Sequence, residues 1–75
     1  MCRSIKTLRG AEPPPTDGDV AAAALQYVRK VSGYRTPARR NAEAFDRAVA
    51  EIAAASERLL EALGTPAAPG PPARP

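Results

Sequence analysis

Residues 37–63 read PARRNAEAFDRAVAEIAAASERLLEAL, and this stretch decides the fold. The positions Ala42, Phe45, Val49, Ile52, Ser56, Leu59 and Leu63 alternate steps of three and four, apolar everywhere except Ser56. That spacing is one face of a helix. Leu60 and Ala53 widen the stripe, while Glu43, Arg47, Glu57, Arg58 and Glu61 point away from it. Glu43 stands four residues before Arg47, the favourable order for an ion pair along a helix. Thr36 can cap with Pro37 at the first helical position, and Asn41 offers a later start. Gly64 and Pro66 end the helix. The same stripe fits a coiled-coil seam, for which three heptads is the minimum length, or packing against a neighbouring helix.

That neighbour lies just upstream. Thr16 followed by Asp19 resembles a capping box, and Asp17 and Asp19 suit the positive end of a helix dipole. Val20, Ala21, Ala24, Leu25, Val28 and Val31 then recur three and four apart, with Gln26, Arg29 and Lys30 opposite. Ser32-Gly33 closes the helix. The expected architecture is therefore all-α: a two-helix antiparallel hairpin over residues 16–63, with helices at about 17–32 and 37–63. An extended arm (1–15) precedes it, and a disordered Pro-rich tail (64–75) follows. The arm alternates apolar Cys2, Ile5 and Leu8 with basic Arg3, Lys6 and Arg9, and Ile5 and Leu8 are expected to drape over the hairpin. The tail, GTPAAPGPPARP, carries five prolines and two glycines, a composition that neither continues a helix nor builds a core. P-x-x-P patterns such as Pro66 to Pro69 and Pro69 to Pro72 are what any such tail contains. The expected helix-packing seam is Leu25, Val28, Val31, Phe45, Val49, Ile52, Leu59 and Leu63.

A core built from this chain is thin. Of its 75 residues 33 are hydrophobic, but 17 of those are alanine, leaving 16 larger side chains with no tryptophan. Chains this small usually complete themselves with disulfides, a metal or a partner. One cysteine forbids an internal disulfide, and zero histidine removes the commonest metal ligand and general base. A homo-oligomer or a protein partner is the remaining route. There is no signal-like apolar stretch in residues 1–15 and no membrane-length run, so no membrane association is expected, and a lone Cys2 suits the cytoplasm.

The opening Met1-Cys2-Arg3-Ser4-Ile5-Lys6-Thr7-Leu8 resembles a small bacterial family, domain of unknown function 2277. The resemblance continues through Glu12-Pro13-Pro14, Ala24 to Gly33 (ALQYVRKVSG), Asn41, Glu43 to Val49 (EAFDRAV) and Leu59-Leu60, so it covers residues 1–63. The family implies no activity. This chain departs from the family pattern in three places. Serine replaces asparagine at position 4, no aromatic stands near Arg9-Gly10-Ala11, and Gly18 sits where a fuller acidic cap is usual.

Charge supplies the best chemical lead. Residues 34–40 carry +3 and residues 41–63 carry −3, within a net +3. Arg29, Lys30, Arg35, Arg39 and Arg40 cluster near the hairpin tip with Tyr34 among them, the ingredients for holding phosphate and stacking a base. The same basic residues also complement the negative C-terminal end of the first helix. A second lead is Cys2. With Met1 removed, a free amine would stand beside a thiol, and Arg3 and Lys6 would favour the thiolate for redox or metal chemistry. Phosphate loops, paired catalytic carboxylates and Cys-x-x-Cys motifs are absent, so no catalytic residues, metal ligands or cofactors are expected and an enzyme is the weakest class. The expected function is a protein–protein interaction or self-associating module. Nucleic-acid contact through the basic turn is the alternative, and cysteine chemistry the second alternative.

Overall fold

The computed structural model describes residues 5–72. Two helices, α1 (Asp17–Ser32) and α2 (Ala42–Ala62), pack antiparallel, with a 3-10 turn (Arg39–Asn41) between them. No strand occurs among the described residues.

Each end of α1 has its own chemical cause. Thr16 is extended (φ −112°, ψ 167°), and its hydroxyl accepts from the Asp19 amide at 3.1 Å. The Asp19 carboxylate returns the bond, accepting from the Thr16 amide at 3.0 Å. This closes a full capping box with aspartate in the usual glutamate place. At the other end Gly33 takes the left-handed conformation (φ 77°) and its amide reaches the Arg29 carbonyl at 2.9 Å. α2 ends in a Schellman arrangement: the Gly64 amide donates to Glu61 and the Thr65 amide to Leu60, at 3.0 and 2.9 Å.

α2 begins later than the expected start near residue 37. Ala38 is extended (ψ 154°), the 3-10 turn follows, and regular helix starts at Ala42. Arg39 and Arg40 explain the delay, because positive charge opposes the positive end of a helix dipole. Glu43 then supplies the favourable sign in the first turn.

The core is small. Val20, Ala24 and Val28 of α1, spaced by four, are buried against Phe45 and Leu60 of α2. Leu25, Val49 and Ile52 are half-buried. Three members of the expected seam are not in it: Val31, Leu59 and Leu63 are 68%, 58% and 52% exposed. A heptad stripe on a straight helix drifts by about 20° per repeat. From Phe45 through Ile52 to Leu59 the stripe rotates off the contact line, and Leu60 rotates onto it. Length contributes as well. The 16 residues of α1 rise roughly 24 Å, against roughly 31 Å for the 21 residues of α2, so the C-terminal end of α2 overhangs.

Both flanking segments fold back onto the hairpin. In the arm, Ile5 and Leu8 are half-buried, and Lys6 Nζ stands 3.7 Å from Asp19 Oδ1, whose side chain is 3% exposed. The tail corrects the expectation of disorder over residues 64–72. The Asp17 amide donates to the Ala68 carbonyl at 2.7 Å, and the Gly18 amide to the Gly70 carbonyl at 3.1 Å. The Ala68 amide donates to Pro15, and the Gly70 amide to Asp17 Oδ1, both at 3.1 Å. Thr16 Oγ1 donates to the Pro71 carbonyl at 2.8 Å. The physical reason is a match of surpluses. A helix N-terminus has donors without partners, and a proline-rich strap has lost donors while keeping its carbonyls.

Candidate docking surface

The hairpin leaves one side apolar and open. Between the C-terminal half of α1 and the N-terminal half of α2 runs a groove of about 480 Å³. Tyr27, Val31 and Tyr34 form one wall and Ala44, Ala48 and Ile52 the other, with Val28 and Phe45 beneath. Tyr27 and Tyr34 are 49% and 45% exposed. The groove exists because α1 stops at Gly33 and because alanines leave its α2 side shallow. Farther along α2 the apolar band continues to the exposed Leu59 and Leu63, one and two turns past Ala55 on the same side of the helix.

Around the corner at the tip, Gln26, Arg29, Lys30, Tyr34 and Arg35 line a second, polar concavity of about 330 Å³. Arg29 Nε donates to the Arg35 carbonyl at 3.0 Å, which ties the turn to the end of α1. The Tyr34 amide donates to Ser32 Oγ at 3.1 Å. Of the six residues expected at a phosphate-binding tip, the fold brings four into this concavity. Arg39 and Arg40 stand apart on the 3-10 turn, exposed. Tyr34 borders both the apolar groove and the basic concavity. Cys2, the candidate reactive thiol, lies outside the described residues.

On the opposite side, Ala21, Ala22, Leu25, Val49, Ala50 and Ala53 line a shallow apolar concavity whose rim is Pro72 of the tail. Gly18 makes that placement possible. A Cβ there would meet Pro72 N at 2.5 Å, Pro71 C at 2.6 Å and Gly70 O at 2.7 Å. The missing acidic side chain at position 18 is thus the space the strap occupies. Periodicity could not reveal this contact, although a glycine in the first turn of a well-capped helix was its visible trace.

No helix among the described residues is long and apolar enough to cross a membrane. The fold and surfaces define a small all-α hairpin, strapped at one end by its own tail, with the apolar groove on one side and the shallower apolar concavity on the other. The chain belongs to the family described as "Uncharacterized conserved protein (DUF2277)", whose profile matches residues 1–75. The match takes in the tail, beyond the residue 63 limit of the resemblance read from the sequence. No curated protein and no solved structure matches the chain.

Proposed function

We propose that this chain is a non-enzymatic protein-interaction module of the cytoplasm, associating with itself or with a protein partner through its apolar side. One observation carries the reading: Tyr27, Val31, Tyr34, Leu59 and Leu63 are all 45% or more exposed, against five buried hydrophobic residues among the described residues. Small monomers scatter their exposed apolar residues, whereas contiguous ones mark interaction surfaces. The shape agrees. The radius of gyration is 12.6 Å, against roughly 11.4 Å for a compact chain of this length.

Contact with nucleic acid through the tip is a second reading, favoured by Tyr34 sharing one concavity with Arg29, Lys30 and Arg35. Salt separates the two, since phosphate contacts weaken steeply as salt rises and apolar contacts do not. The test is purification of the tagged full chain from its native cells, with and without nuclease, at low salt and at high salt. Association that survives nuclease and salt but is lost in Leu59→Lys supports the apolar surface. Association lost with nuclease or salt, and unchanged in Leu59→Lys, contradicts it and favours the tip.

A further inference from the structure

Six residues make the open stripe of α2: Ala44, Ala48, Ile52, Ala55, Leu59 and Leu63. At 100° per residue they fall within an arc of about 100°. Read from either end, the stripe is complementary to itself. When the helix is laid antiparallel on a copy, Ala44 meets Leu63, Ala48 meets Leu59 and Ile52 meets Ala55, a small side chain opposite a large one at every level. From this self-complementarity we infer that the occupant of the apolar side is a second copy of this chain, with α2 packed antiparallel on α2 about a two-fold axis between Ile52 and Ala55. The inference rests on the reading of that side as a docking surface, and it names the partner.

Three further observations agree with a second copy. First, Leu59 and Leu63 are knobs without a hole in their own chain, 58% and 52% exposed, while Ala44 and Ala48 line a groove of about 480 Å³ without a knob. The antiparallel pairing seats each pair of leucines in the other copy's groove, beside Val31 and Tyr34. An isologous interface of this kind satisfies both copies at once.

Second, the charges favour the antiparallel direction. α2 ends with no basic side chain in its last turn, so its own side chains do not offset the negative end of its dipole. The basic residues Arg35, Arg39 and Arg40 sit at the other end of the hairpin. Antiparallel pairing places each negative helix end beside the other copy's basic tip, whereas parallel pairing would put like ends together. In the same register Glu51 and Arg58 of the second copy differ in level by two residues, roughly 3 Å along the axis, on one flank of the stripe.

Third, there is surface to spare. The chain exposes 5763 Å², whereas a compact monomer of 7.8 kDa exposes roughly 4,400 Å². A standard interface takes roughly 800 Å² per partner, which a surface of that size can supply.

The test is a large-to-small swap in the full chain, followed by sedimentation and light scattering, with helicity checked by circular dichroism. Leu59 is exposed and Ala48 only half-buried, so variants at both keep the hairpin. The wild-type chain is expected to be a dimer. Ala48→Leu sets leucine against leucine and Leu59→Ala leaves a void, and each is repeated twice by symmetry, so each should weaken dimerisation by about tenfold or more. The double variant A48L/L59A reverses the roles of two residues that meet only across the axis, and should recover most of the loss. Leu63→Lys gives an independent check and should yield a helical monomer.

A wild-type monomer at all concentrations overturns the inference, as does a dimer in which the double variant is as weak as the two single losses combined. If the monomer still loses a nuclease-resistant protein partner on Leu59→Lys, the docking surface stands and only its occupant was wrong. If it binds no protein at all, both readings fall.

Discussion

Gly18 and Pro72 are in a contact that excludes any side chain at position 18: a Cβ on Gly18 would stand 2.5 Å from the Pro72 nitrogen. Two strap carbonyls, Ala68 and Gly70, take the Asp17 and Gly18 amides beneath that contact. Gly18→Ala should therefore lift the strap, even though alanine is the better helix former by about 1 kcal/mol. Hydrogen exchange at the Asp17 and Gly18 amides should speed up in the variant while α2 amides stay protected. Unchanged exchange at both would mean the strap does not hold that end of α1.

Thr16 serves the cap and the strap with one hydroxyl. It accepts from the Asp19 amide and donates to the Pro71 carbonyl. Thr16→Ala removes both bonds, and the expected loss is about 1–2 kcal/mol. Thr16→Ser keeps the hydroxyl and should lose much less in thermal unfolding. Equal losses from the two variants would assign the effect to the methyl group.

Thr65 Oγ1 is buried without a hydrogen-bond partner. A buried polar group left unpaired is costly, while an apolar group of the same shape can be stabilising. Thr65→Val should raise stability by about 1 kcal/mol, which corresponds to roughly 4–8 °C in Tm for a domain this size. A lower Tm would show that the hydroxyl finds a partner in solution.

Leu59→Lys separates folding from association. Leu59 is 58% exposed and outside the intramolecular core, so the variant should keep its helicity and lose its association. Ile52→Asp should do more harm, because Ile52 is half-buried between the helices as well as being on the open stripe. An unpaired charge there costs folding free energy in addition to the interface. Circular dichroism beside light scattering distinguishes the two outcomes.

The helices were legible because their signals are local. Thr16, Asp19 and Gly33 mark the ends of α1, Gly64 marks the end of α2, and the apolar spacing supplies the rest. Of the two starts the sequence offers for α2, Pro37 is a good first helical residue in isolation, but Arg39 and Arg40 make that end unfavourable. The helix takes the later start, with Asn41 in the N-cap position. The seam was only partly legible. A three-and-four pattern names a stripe but not how far the partner helix extends along it, so Leu59 and Leu63 could not be told from core. The strap was hidden altogether, since its contacts join residues more than fifty positions apart through backbone carbonyls that every sequence possesses.

The most direct test of the central claim, that the apolar side of α2 is a docking face for a second copy, is the mass of the untagged full chain by light scattering across a wide concentration range at low and high salt. The account predicts twice the 7.8 kDa chain mass, insensitive to salt and reduced to a single chain by Leu59→Lys. A mass of one chain throughout, or a dimer indifferent to Leu59→Lys, would contradict it.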